Sequence, residues 1–466
     1  MMRRDKNKLR DRARTLRTAL TSFAVITAAA LFSCGGGPKE PNLVIITIDT
    51  LRANHLGCYG YFRDTSPDLD ALAEESVFFE RCLVPMATTL PSHTSLFTAT
   101  YPIEHGILAN IKRGGYGFVP SPHLRSYAEI AKSAGYETAA FVSAAPLNDK
   151  TGINAGFDTY DTPPKLERRA EVTNEKVFAW LEEKPKAPYM LWVHYYDPHF
   201  PYEPLAPYDD RFFEDEALLE YMNTRGFAKK LQLPNSGFLA MSKYVNNYDG
   251  EILYTNDRIA ELLEKLEKRG DWKNTIVVVT SDHGEGVGQH ARTGHSYTWE
   301  EQLHAPLFMK IPGQAPRRIA EPLSLVDALP TLLALAPDLP RGTFLDQATG
   351  VNTAHDDYRT DGIVAQDCKI QRRDPDPANY TLSTNRWKFF YVPEANDRLY
   401  DIVTDPYELR DVAAENPDTL AVLKDRLLTK LAEQQARGAE LKPEDGDTLR
   451  FDPKLRAELE ALGYTN

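Results

Sequence analysis

Apolar positions along this chain fall into two kinds of run. Leu43–Ile48, Tyr189–His194 and Thr275–Thr280 are short and almost continuously apolar or β-branched, the pattern of strands buried on both faces. Each run ends against chemistry-bearing residues: Asp49, then Asp197-Pro198-His199, then Asp282-His283. Between them, 3.6-residue periodicity predicts helices at Pro67–Glu75, His123–Ala134, Leu166–Glu183 and, most clearly, Asn246–Arg269. Strands alternating with helices predict an α/β fold whose largely parallel sheet is covered on both faces. Ligands bind such sheets beyond the carboxyl ends of the strands, so three strand ends can present Asp and His to one cleft.

Near Pro312-Gly313 the pattern changes. After a predicted helix at Leu325–Ala336 the chain becomes loop-rich, with isolated strands such as Trp387–Val392. We therefore expect a catalytic domain over residues 42–338, a small α+β subdomain over 339–412 and a helical tail over 413–466. The stretch Pro201–Ser242 carries aromatic and charged residues without a readable period.

The first 33 residues stand apart from the fold. Arg3–Arg17 is basic, and the apolar Thr18–Phe32 is shorter than the ~20 residues that span a bilayer, so the segment reads as a signal peptide. Leu31-Phe32-Ser33-Cys34 resembles a bacterial lipobox, with Cys34 acylated and residues 34–41 as a tether. The expectation is an exported bacterial lipoprotein, membrane-anchored through its N-terminal lipid and facing the periplasm or cell surface. Residues 1–33 carry eight Lys/Arg against two Asp/Glu, so removing them takes the net charge from -13 to about -19. That balance argues against a nucleic-acid partner. Of Cys58, Cys82 and Cys368, two can pair after export, with no choice of pairing readable.

The 466 residues, 42% hydrophobic, suffice for one large core, and five motifs in order say more. Asn42 to Gly60, Leu90-Pro91-Ser92-His93-Thr94-Ser95-Leu96-Phe97-Thr98 with Tyr101-Pro102-Ile103-Glu104-His105-Gly106, Asp197-Pro198-His199, Thr280 to Glu285, and Leu399 to Pro406 together resemble the sulfatase-like branch of the alkaline phosphatase superfamily. The resemblance implies a sandwich around a mixed sheet, a smaller C-terminal sheet, and a metal-dependent ester hydrolase. Carried over by motif, the metal ligands are Asp49, Asp282, His283 and Thr89. Thr89 is also the nucleophile, with His199 and His295 stabilising the oxyanion or protonating the leaving group. Arg52, His93 and His290 complete the candidate substrate-binding set.

Three departures from the family pattern matter. Sulfatases place a Cys or Ser, converted to formylglycine, two residues before the motif Pro and follow it with Arg; here stand Thr89 and His93. Threonine cannot form that aldehyde, whereas a phosphothreonine can be hydrolysed by water. The family Lys is matched by His295, and Thr50 replaces a second ligand Asp, which favours a single Mn²⁺, Mg²⁺ or Ca²⁺ over two zinc ions. Asp197, His199, His290 and His295 offer the residues for a second cation site as a minority alternative. The leading expectation is a phosphoester or phosphonate hydrolase acting on a small-molecule, glycan or lipid ester. The rivals are a true sulfatase, a phosphoglycerol or phosphoethanolamine transferase, and a non-catalytic surface-anchored binding protein. Replacing Cys34 with Ala is expected to release the protein from membranes in a cell fractionation; unchanged membrane association would contradict the anchor.

Overall fold

The uniform burial of the apolar strands comes from a sheet covered on both faces. The computed structural model describes residues 40–110, 123–228, 230–233, 237–368, 380–391 and 396–441; Cys34 and the expected signal segment lie outside them. Nine strands form the main sheet in the order Arg317–Ile319, Val77–Leu83, His304–Lys310, Thr275–Ser281, Asn42–Ile48, Tyr189–Tyr195, Glu137–Phe141 and Thr159–Asp161, with Leu323–Ser324 also pairing Val77–Leu83. Among the described residues, only His304–Lys310 runs antiparallel to its neighbours in this sheet; the other pairings are parallel.

Alternation along each central strand feeds two cores. Leu43, Ile45, Met190, Trp192, Ile276 and Val278 face one, together with Leu90, Leu96 and Phe97 of the helix Thr89–Thr98. Val44, Ile46, Leu191, Val193, Val277 and Val279 face the other, covered by the helices Pro67–Glu74, Ala170–Glu182 and Met241–Glu267. This two-sided packing, at about 25 cal/mol per Å² of apolar surface, fixes which side chains leave the sheet at its ends. The parallel register sets Ile48 opposite both Tyr195 and Ser281. Asp49, Tyr196 and Asp282 therefore leave the sheet at one level.

Several expected helices differ at their ends. Met241–Glu267 starts before Asn246, and Leu325–Ala336 divides into a 3-10 turn, Leu325–Asp327, and the helix Ala328–Leu335. The first helical residues expected at His123 and Leu166 move to Tyr127 and Ala170; Ser126 and Glu129 form a capping box at the former. Pro201–Ser242 is not patternless. It holds the helix Glu216–Thr224, capped by Asp215 and buried through Leu218, Tyr221 and Met222, and the hairpin Lys230–Leu233 with Gly237–Ala240. Among the described residues, Cys58, Cys82 and Cys368 form no disulfide with one another.

The C-terminal sheet is four antiparallel strands, Ile363–Gln366, Tyr380–Ser383, Trp387–Tyr391 and Arg398–Asp401. Leu423, Leu427 and Leu431 form one stripe of the helix Pro417–Glu440 and pack on Val364, Leu382, Phe389 and Leu399. An ionic cluster ties this sheet to the main one. Lys388 Nζ, fully enclosed, lies 3.1 Å from Glu300 Oε2 and 2.7 Å from Glu408 Oε1, while Arg81 Nε is 2.7 Å from Glu300 Oε1. Burial alone would raise the Glu300 carboxyl, but Arg81 and Lys388 more than offset it and hold it well below the ordinary Glu range.

Removing one member of such a buried cluster leaves unpaired charge, so Lys388→Met should cost about 3–5 kcal/mol in chemical denaturation; a loss below about 1 kcal/mol, the level of an exposed pair, would contradict it. A carboxyl depressed in the folded state contributes stability that is complete above its unfolded pKa and is lost as pH falls towards the folded value. The stability advantage of the wild type over Glu300→Gln should accordingly shrink on acidification.

Candidate active site

Asp49 follows the Asn42–Ile48 strand and is fully buried, yet neither of its carboxylate oxygens has a hydrogen-bond partner. Asp282, beyond the Thr275–Ser281 strand, accepts at Oδ1 from the backbone N–H groups of Thr50 (3.2 Å) and His283 (2.9 Å), and its Oδ2 is unpartnered. His283 Nε2 lies 3.4 Å from Asp282 Oδ2 and 3.9 Å from Asp49 Oδ1. Its Nδ1 is 2.8 Å from the Gly284 carbonyl. A carbonyl only accepts, so Nδ1 carries the proton and Nε2 presents a lone pair.

The electrostatics of the two carboxylates define the problem the site must solve. Burial raises both carboxyls well above the ordinary Asp range, and for Asp282 the Asp49 charge adds to it. Burial, with a smaller contribution from His295, pushes the His283 imidazole well down. Two anionic oxygens and an imidazole lone pair, with ligand atoms within 4.8 Å of one another, fit one divalent cation. An unpartnered Asp49 oxygen, Asp282 Oδ2 and His283 Nε2 are the donor atoms it would take.

Local backbone serves this geometry. Thr50 sits at φ 55°, a left-handed conformation costly for a β-branched residue. Its N–H on Asp282, its Oγ1 donating to the Pro198 carbonyl (2.9 Å) and Tyr248 Oη donating to its carbonyl (2.7 Å) hold it there. A Cβ on Gly284 would come 2.1 Å from the Glu301 carbonyl oxygen, so no larger residue fits that turn unshifted.

Thr89 is the first residue of the helix Thr89–Thr98, and Thr88 occupies the N-cap position. The Thr89 hydroxyl is buried without a partner and caps nothing. Ser92 Oγ donates to the Asp282 carbonyl (2.5 Å), tying the start of this helix to the Asp282-His283 turn. The His295 ring lies tilted against His283 with ring centroids 4.3 Å apart, and the His199 ring centroid lies 5.6 Å from that of His295. Burial pulls both imidazoles down, His199 to about 3 and His295 to about 4. Each is neutral as it stands, and an arriving anion would favour its protonated form.

The structure thus brings Asp49, Asp282, His283, His199 and His295 together and sets the Thr89 helix against them. Of the other three candidates, His93 lies beside the site, its Nδ1 3.8 Å from Asp282 Oδ2, but does not face open space, and two sit elsewhere. His93, expected to face substrate, is fully buried with Nδ1 2.8 Å from the Thr89 carbonyl and Nε2 3.0 Å from Thr47 Oγ1. Arg52 is buried beneath the Gly284 turn, its Nη1 donating to the Glu285 carbonyl and Gln289. It lines a cavity of about 420 Å³ that also touches Arg81, Glu300 and Glu301. His290 stacks on Trp299 at 3.7 Å and 7° and pairs with Glu301. Asp197 is spent on the Ala170 N–H and Arg169, so the four residues considered for a second cation site do not converge. His194 and Tyr248 also border the site. A His closing an otherwise apolar strand was the available signal for the first; nothing local marked the second.

The chain matches the family described as Sulfatase over residues 41–339. It belongs to the sulfatase family, within the alkaline phosphatase superfamily, and is a hydrolase acting on ester bonds. It is 26% identical over 480 residues to an ulvan-active sulfatase of Formosa agariphila, covering 92% of this chain and 89% of that one. An arylsulfatase of Clostridium perfringens is 24% identical, covering 80% and 90%. By fold it resembles the phosphonate monoester hydrolase of Agrobacterium radiobacter, with TM-score 0.64, 18% identity and coverage of 89% and 100%. A Bacteroides thetaiotaomicron structure described as a putative sulfatase gives TM-score 0.68, 19% identity and coverage of 90% and 96%.

Asp282→Ala should abolish stoichiometric binding of a divalent cation, measured by metal analysis and calorimetry, with circular dichroism unchanged. Wild-type metal content in that variant would contradict the ligand assignment.

Proposed function

We propose that this protein is a metal-dependent hydrolase of phosphoester or phosphonate monoester bonds that uses Thr89 as its nucleophile. The observation that carries the reading is the Thr89 hydroxyl itself. It is buried, unpartnered and placed two residues before Pro91, where sulfatases carry the residue converted to formylglycine. The side chain cannot become that aldehyde, and phosphoryl chemistry does not need it. One cation, Mn²⁺, Mg²⁺ or Ca²⁺, held by Asp49, Asp282, His283 and Thr89, would lower the acidity barrier of the hydroxyl and screen charge on the substrate oxygens.

Thr89 Oγ1 then forms a bond to phosphorus while the bond to the leaving oxygen breaks. His295 or His199, neutral beforehand, takes up the Thr89 hydroxyl proton and delivers it to the departing alkoxide, and water later cleaves the Thr89–phosphorus bond. The N-terminal backbone amides of the Thr89–Thr98 helix favour negative charge at this position. Export and lipid anchoring at Cys34 form part of the same proposal, with a substrate met outside the cytoplasm.

Sulfate-ester hydrolysis is the second reading, supported by the sulfatase from Formosa agariphila that aligns with 92% of the chain. Metal-loaded protein assayed on matched aryl phosphate diester, phosphonate monoester, phosphate monoester and aryl sulfate separates the two. The proposal predicts turnover of phosphorus esters, its loss by more than about 10³-fold in Thr89→Ala, and partial retention in Thr89→Ser. Near wild-type rates in Thr89→Ala, or turnover confined to the sulfate, would overturn it.

A further inference from the structure

We infer that His194 is a hydrogen-bond donor that orients the Asp49 carboxylate for the cation and is not itself a ligand. The inference rests on the reading of Asp49, Asp282 and His283 as a cation site. His194 is fully buried on the Tyr189–Tyr195 strand, opposite Thr47 in the parallel register. Its Nδ1 lies 3.2 Å from the Ser143 backbone nitrogen. A backbone N–H only donates, so Nδ1 carries the lone pair, and in a neutral imidazole the proton is then on Nε2. Nε2 has no hydrogen-bond partner and points towards Asp49 Oδ2, 3.6 Å away.

His283 has the opposite arrangement. Its Nδ1 faces a carbonyl and must carry the proton, leaving Nε2 free to ligate. His93 offers no lone pair either. Trp192 Nε1 donates to Thr47 Oγ1 (2.9 Å), Thr47 in turn donates to His93 Nε2 (3.0 Å), and His93 Nδ1 donates to the Thr89 carbonyl (2.8 Å). The cluster His93, His194 and Asp282 has ligand atoms near enough to one another for an ion, but both imidazoles have their lone pairs engaged. It is therefore not a second cation site.

The strand end carrying His194 is braced from behind, because Ser143 Oγ donates to the His194 carbonyl (2.5 Å) and lies 2.6 Å from Thr173 Oγ1. With this support, the Nε2–H can engage Asp49 Oδ2 and leave Oδ1, the oxygen facing His283 Nε2, for the cation. Donors behind a ligating carboxylate set its rotamer and its affinity for metal.

The test compares His194→Asn with His194→Gln in the full chain. The Gln amide N–H reaches about as far as Nε2, whereas the Asn side chain reaches only the Nδ1 position. Mn²⁺ affinity by calorimetry should fall about 10–100-fold in His194→Asn and recover most of that loss in His194→Gln. Electron spin-echo spectroscopy of bound Mn²⁺ should show the same single imidazole nitrogen coupling, from His283, in the wild type and in His194→Gln. Loss of a nitrogen coupling in His194→Gln would make His194 a ligand and overturn the inference. Unchanged affinity in both variants, or equal weakening in both, would overturn it as well. If His194→Asn fails to fold, the affinity and coupling of His194→Gln decide alone. A wild type that bound no divalent cation would remove the cation reading, and this inference with it.

Discussion

Asp49 and Asp282 are two carboxylates buried together, with neutral imidazoles as their neighbours and no Lys or Arg paired to either among the described residues. Burying an isolated carboxylate costs several kcal/mol, and two sharing one space repel each other besides. The arrangement is stable only with their protons retained or with a cation between them. Much of the surrounding structure serves to hold these groups at that spacing. The parallel register brings both strand ends to one level, the strained Thr50 peptide spans them, and Gly284 permits the close approach of the Glu301 backbone.

A second layer of control is exercised by backbone groups on histidines. Gly284 and Ala87 offer carbonyls to the Nδ1 atoms of His283 and His295, whereas Ser143 offers an N–H to that of His194. The same side chain therefore supplies a lone pair in one place and a proton in another. This division is written in main-chain geometry, and it explains how several imidazoles, those of His93, His194 and His283 fully buried, can surround one small site without interchangeable roles.

The strands and the residues at their carboxyl ends were legible because burial on both faces leaves an unbroken apolar run, and such runs end abruptly where the chain must meet solvent or ligand. Asp49, Asp282 and His283 could be read from that pattern and from motif order. The setting of His93 could not, because a His four residues after Thr89 can turn back to a carbonyl of its own helix or face outward, and only the Thr47–Trp192 pair decides. Arg52 likewise became buried only when the Gly284 turn folded over it. In Pro201–Ser242, the helix at Glu216 has its apolar stripe in a segment too short to stand out against flanking aromatic and charged residues. The Tyr248 hydroxyl that holds Thr50 comes from a residue almost two hundred positions away, a contact with no local signature.

The proposed chemistry depends on a covalent bond at one hydroxyl, and rapid-quench mass spectrometry during turnover of a phosphonate monoester or phosphate diester tests it most directly. The predicted result is a transient adduct on the peptide containing Thr89, with the mass of the phosphorus group and its retained substituent. It should form before product release and be absent from Thr89→Ala. A turning-over enzyme with no adduct on that peptide, or with the adduct on another residue, would contradict the assignment of Thr89.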